Sequence, residues 1–257
     1  MVFVDGVSEV FSTILLTSIF LALVFILLPF SYYTIMGSVA KTEYEYVKHG
    51  FYSIAAYFPM IATGGEYSID FPSQYTSRGY IEIGRIDIYL NSSSQPTLSF
   101  SCMALTQGAN VGGAPRGLLY GVDTHIVNDS RMIPRIYEYR DGNGLMIITL
   151  DTCRLLLDVN TIPTGNYSGY YYILTYYNLT ISFRGSGSLR IEPVRTYTAY
   201  SNIGGNLWNI TIVVSDYILG KSSSYNVIDL VKTGFGKEYA GIPFSLTIVV
   251  EELVVEV

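Results

Sequence analysis

The two histidines, His49 and His125, are the first residues to consider for proton or metal chemistry. No cluster at metal-ligand spacing surrounds either one, so no metal is expected. Asp123 precedes His125 by two positions, a spacing too loose to specify a general base, and the stretch reads as a surface loop. A nucleophile elbow needs Gly-x-Ser-x-Gly, and the segments 165–169 (GNYSG) and 185–189 (GSGSL) both miss it. The segment 234–241, GFGKEYAG, is neither a dinucleotide fingerprint nor a phosphate loop. The aromatic run YYYILTYY at Tyr170–Tyr177 has the density of a sugar-stacking face, but core strands carry the same pattern. These residues point away from an enzyme and call for no cofactor. Distant carboxylates brought together by folding, as in an anchored hydrolase, are the one catalytic arrangement left open.

Oxidation chemistry is more legible. Cys102 and Cys153 are the only cysteines, and a bridge between them would close a loop of about 50 residues, worth roughly 4 kcal/mol in the chain-entropy model. The alternative is two buried thiols. Cys102 alternates with Leu98, Phe100 and Ala104, which turns it inward. Asn-x-Ser/Thr triplets stand at Asn91, Asn128, Asn166, Asn178 and Asn209, more than chance supplies, and suit an exported, glycosylated surface. A net charge of −6 with 14% charged residues rules against a nucleic-acid partner, which needs a basic face.

The elements that position these residues begin with a long apolar run. Val10 to Ala40 carries no charge, between Glu9 and Lys41. As a helix it would be about 46 Å long, whereas about 20 apolar residues cross a bilayer core. Ser12, Thr13, Thr17, Ser18 and Pro29 are tolerated in membrane helices. A secretory signal fits poorly, because no Lys or Arg precedes the run and Ser31-Tyr32-Tyr33-Thr34 is no cleavage site. From Lys41 to Phe58 the helix becomes amphipathic. Tyr44, Val47, Phe51, Ile54 and Phe58 line one face, with Glu43, Glu45, Lys48, His49 and Ser53 elsewhere. That stripe either docks on the chain's own β-domain or packs against the same helix in neighbouring subunits. Its continuity with the apolar run makes Leu23, Val47, Phe51, Ile54 and Phe58 the expected assembly face. Pro59 and Gly64-Gly65 stop or bend the helix.

Beyond Gly65 the period becomes two. Tyr177, Leu179, Ile181 and Phe183 alternate with polar residues, as do Trp208, Ile210, Ile212 and Val214, which places Asn178 and Asn209 on polar faces. Parity changes across Gly84, where a bulge is expected, and again at Glu251-Glu252, between Phe244–Val250 and Leu253–Val257. The segment 140–144, RDGNG, reads as a hairpin turn. The 24 tyrosines and frequent β-branched residues complete an α+β reading: a long hydrophobic N-terminal helix followed by an antiparallel β-sandwich-like domain.

The segment GVSEVFSTILL, Gly6 to Leu16, resembles the N-terminus of archaeal type IV pilin-like proteins, which carry class III signal peptides. The resemblance covers about 25 residues, with Asp5 standing where that family usually has Lys or Arg. It implies cleavage by the class III signal peptidase between Gly6 and Val7, with residues 1–6 as leader. It further implies that residues 7–62 are retained as an assembly helix and that 66–257 form an extracellular β-rich region of one large or two small domains.

The implied function is a major or minor structural subunit of a pilus-like surface filament, self-associating or co-assembling with other pilins. It would reside in the cell membrane before assembly and at the cell surface afterwards. Lys41 and Lys48 following the span would by charge alone favour an inside domain. The triplets, the cysteines and the resemblance together favour the outside. The alternative is a monomeric anchored surface protein binding an S-layer, a glycan or the pilus machinery.

Overall fold

The computed structural model describes residues 4–70, 76–164, 167–182, 188–202, 207, 209–234 and 245–256. Asn166, Phe183, Trp208, Phe244 and Val257 lie outside them. One helix, α1, runs unbroken from Val4 to Ala62, about 88 Å at 1.5 Å per residue. Pro29 and Pro59 both lie inside it, so neither ends it. The stop comes at Gly64, whose φ of +98° allows the chain to reverse. There Gly64 N–H donates to the Ile61 carbonyl at 3.0 Å and Gly65 N–H to that of Met60 at 2.9 Å.

Among the described residues thirteen strands follow in chain order. The first six are β1 (Tyr67–Asp70), β2 (Thr76–Leu90), β3 (Leu98–Ala109), β4 (Gly117–Tyr120), β5 (Ile126–Val127) and β6 (Arg135–Arg140). Next come β7 (Met146–Asp151), β8 (Leu155–Thr164), β9 (Tyr167–Ser182), β10 (Ser188–Asn202), β11 (Ile210–Asp216) and β12 (Lys221–Asn226). A short helix α2 (Val227–Gly234) then leads towards β13 (Ser245–Glu256). One sheet has the order β1-β10-β13-β9-β8-β5 and the other β12-β11-β2-β3-β7-β6-β4. The expected antiparallel pairing holds for most neighbours. Two pairs are parallel, β13 with β9 and β5 with β8. Alternation along a strand looks the same in either orientation, so the sequence could not distinguish them.

The bulge expected at Gly84 is present, with the register against β3 shifting between Glu82 and Gly84. A Cβ at Gly84 would lie 2.3 Å from the Ser215 carbonyl, so the close approach of β11 requires glycine there. The β6–β7 hairpin also matches, closing through Asp141 and Gly144, whose φ is +84°. Glu251-Glu252 behaves differently. β13 pairs with β9 without any shift, from Ser245 opposite Tyr171 to Glu256 opposite Ser182. Leu246, Ile248, Val250, Tyr172, Leu174 and Tyr176 enter one core. Leu253, Val255, Tyr177 and Leu179 enter the other. In an unshifted pair these groups lie on opposite faces. The parity change therefore marks a strand serving two cores, and the bulges fall on β10, at Val194 and Ala199.

The first of these cores is built around the helix. Ala40, Tyr44, Val47, Phe51, Ile54, Ala55, Phe58 and Ile61 pack with residues of both sheets, including Leu105, Ile148, Leu179 and Leu253. The second core lies under α2 and contains the cysteines.

Candidate functional site: the projecting helix and its seat

The feature that sets this molecule apart is the first half of α1. From Val10 to Val39 no side chain is buried, and Phe25, Phe30 and Tyr33 are 71%, 70% and 74% exposed. Mean hydropathy reaches 2.7 in this helix, which is long and apolar enough to cross a membrane. Its hydroxyls do not oppose that. Thr13 donates to the Val10 carbonyl, Ser18 to that of Ile14, and Thr34 to that of Phe30, at 3.0, 2.7 and 2.8 Å. Thr17 likewise donates to the Thr13 carbonyl. Side chains bonded back to the helix present little unsatisfied polarity to lipid. The Gly6–Val7 bond lies near the start of the same helix.

The proposed assembly face divides at Ala40. Leu23 is 50% exposed and available. Val47, Phe51, Ile54 and Phe58 are at most 2% exposed, which corrects their assignment as an intersubunit surface. They are the chain's own core. Burying four such side chains yields on the order of 6–12 kcal/mol of transfer free energy within the chain itself.

Polar residues lock this seat, and here too the sequence pattern misled. Glu43 and Lys48 read as solvent-facing positions but are 6% and 5% exposed. Lys48 Nζ meets Glu138 Oε1 at 2.9 Å, and the Tyr44 hydroxyl donates to the same oxygen at 3.1 Å. Arg116 N–H donates to Glu138 Oε2 at 2.9 Å. Burial alone would raise the Glu138 carboxyl, but the donors Lys48, Arg116 N–H and Tyr44 outweigh it and hold it below its ordinary value. Glu43 Oε1 accepts from Thr76 N–H at 3.2 Å and from the Thr76 hydroxyl at 2.7 Å, tying the helix to β2.

A second buried polar group lies away from the helix. Arg135 Nε donates to Asp151 at 3.0 Å and Arg135 Nη2 to Asp216 at 3.0 Å. Arg154 bonds Asp151 at 3.2 Å and the carbonyls of Val122 and Ile133. His125 corrects the surface-loop reading, being 6% exposed, with Nδ1 3.1 Å from the Tyr225 hydroxyl and Nε2 4.0 Å from Asp216. Burial first, then the charges of Arg154 and Arg135, lower its pKa to about 4. Two guanidinium groups against two carboxylates balance charge inside the core, and closure from solvent suits them to positioning strands rather than to turnover. Among the described residues no three His, Cys, Asp or Glu side chains gather as a metal site.

Cys102 and Cys153 are bonded, with Cα atoms 5.2 Å apart, beside this group. Of the Asn-x-Ser/Thr triplets, Asn128 is exposed, and Asn91 is exposed in a turn with φ of +52°. Asn178 is half-buried in β9. Asn209 stands before β11 rather than on its polar face. Its Nδ2 donates to the Ser92 hydroxyl at 3.1 Å and its Oδ1 accepts from Asn226 at 3.0 Å. Within the tyrosine run, Tyr172, Tyr176 and Tyr177 are core residues, as Tyr176 stacked on Phe100 shows. No signal in the order of residues marked Glu138, Arg135 or Arg154 as buried, since charges within a strand or at its edge ordinarily face solvent.

Compared with family models, with curated proteins and with solved structures, the chain matches none.

Proposed function

We propose that the chain is a structural subunit, of the archaeal type IV pilin-like kind, of a cell-surface filament. The observation that carries this reading is one helix with an uncovered apolar half, residues 10–39, and a second half embedded in a β-rich domain. In the membrane, lipid covers the bare half. On assembly, other helices of the same kind replace lipid, and close packing at small residues such as Ser12, Ala22 and Gly37 decides stability. Removal of residues 1–6 by a class III signal peptidase would leave Val7 at the mature N-terminus. The disulfide suits an oxidising exterior, where the β-domain would form the outer coat. Shearing cell-surface filaments and sequencing their subunits tests this. The chain should be present and should begin at Val7.

A second reading, an anchored monomeric surface protein, is favoured by the self-contained seat. With Val47, Phe51, Ile54 and Phe58 already covered, lipid alone satisfies what remains bare. Recovery of the chain only as detergent-solubilised monomer, and never in sheared filaments, would make this the better description.

A further inference from the structure

Where the bare helix enters the domain, a cavity of about 280 Å³ opens between α1 and the loop joining β3 to β4. Lys41, Lys48 and Arg116 border it. Lys48 is neutralised by Glu138, at 2.9 Å. The side chains of Lys41 and Arg116 are exposed and form no ion pair among the described residues. Glu138 also accepts the Arg116 backbone N–H at 2.9 Å, which fixes where that guanidinium begins. Glu45, exposed on the same rim one helical turn after Lys41, brings the lining to three cations against two carboxylates, a net positive charge.

The loop adds backbone donors. The Arg140 guanidinium donates to the carbonyls of Val111 and Gly113, at 3.3 and 2.7 Å. All described peptide bonds are trans, so the N–H groups of Gly112 and Ala114 point away from Arg140. Neither has an acceptor among the described residues. A Cβ at Gly112 or Gly113 would meet nothing within 4 Å, and Gly113 has a φ of +118° that a side chain would resist. Free N–H groups on a turn bordered by cations form a concavity suited to an anion.

The height of this cavity identifies the anion's source. Lys41 is the first charged residue after the uncharged run, which at about 46 Å matches a bilayer core plus its headgroup layers. A soluble phosphate ester has no reason to collect there. We propose that the cavity holds the phosphate of a membrane-lipid headgroup while the chain is inserted, with Lys41, Arg116 and the Gly112 and Ala114 amides as donors. This rests on the membrane-inserted state in the function proposed above.

The test is native mass spectrometry of the full chain in detergent, titrated with dioctanoyl phosphatidylglycerol or with dioctanoylglycerol, which has the same tails and no phosphate. The phosphate lipid should be retained about tenfold more strongly, and Lys41→Gln with Arg116→Gln should erase most of that preference. Both side chains are exposed, so the double variant should fold. Equal retention of the two lipids, an unaltered preference in the variant, or retention of added inorganic phosphate in place of the lipid would overturn the proposal. Carbonate washing of membranes reads the span separately. Lost selectivity in a chain that resists washing overturns the headgroup site and leaves the membrane helix standing.

Discussion

Lys48 of α1 and Glu138 of β6 meet at 2.9 Å, both closed to solvent, and this contact pins the projecting helix to the sheet. Hydrogen bonds from Tyr44 and Arg116 complete the carboxylate, so each charge has a partner and a fixed position. A helix whose first half projects uncovered from the domain needs such a fulcrum.

Lys48→Met should therefore destabilise the domain by about 3–5 kcal/mol, because it leaves Glu138 buried and uncompensated. Lys48→Met combined with Glu138→Gln should recover part of the loss, since the amide still accepts from Tyr44. Thermal unfolding of the full chain in detergent, followed by near-ultraviolet circular dichroism, measures both. Additive losses in the double variant would show that the two residues are not coupled.

Leu23→Asp and Ile54→Asp should fail in different ways. Ile54 is 1% exposed, so an aspartate there buries a charge in the core and should unfold the β-domain. Leu23 touches no part of the domain, so Leu23→Asp should keep its native dichroism and lose membrane insertion or filament incorporation. Limited proteolysis beside filament yield separates the cases. A folded Ile54→Asp domain would contradict the seat described above.

Replacing both cysteines by alanine should cost about 2–5 kcal/mol, the usual range for loss of a native bridge. Mass spectrometry of the unreduced protein should show the Cys102 and Cys153 peptides linked. Urea unfolding of the alanine variant then gives the energetic term, with a midpoint unchanged from wild type counting against it.

Acid should weaken the fold through His125. Its pKa lies near 4 in the native state against an ordinary 6.5, so between these values the unfolded chain binds the extra proton. Stability from the neutral imidazole is complete above pH 6.5, falls as pH drops towards 4, and is fully lost below that. The full drop is about 3 kcal/mol. His125→Asn should flatten this part of the stability–pH curve. An identical slope in the variant would assign the effect to other groups.

Several features were legible because each depends on local chemistry. The uncharged run over Val10–Ala40 declared a helix able to cross a membrane. The phase change at Gly84 declared a bulge, the segment RDGNG a turn, and two cysteines in a β-rich chain a single bridge. The first three follow from composition, periodicity or turn preference within one short segment, and the bridge, across 51 residues, from there being only two cysteines to pair.

Partners distant in sequence were not legible. The stripe at Val47–Phe58 is equally apolar whether its cover is another subunit or the chain's own sheets. Only the packing of Leu105, Ile148, Leu179 and Leu253 around it decides for the latter. Glu43, Lys48 and His125 read as surface residues because polarity predicts exposure until a complementary group arrives. Thr76, Glu138, Tyr225 and Asp216 supply those groups from 33 to 100 positions away. Glu251-Glu252 makes the same point for a strand. Alternation records which residues are apolar, whereas β9, in parallel and unshifted register, decides that β13 buries one face in one core and the opposite face in another. The sequence alone determined an apolar helix joined to a β-domain. Tertiary structure decided how much of that helix stays bare, because burial is a property of what surrounds a residue.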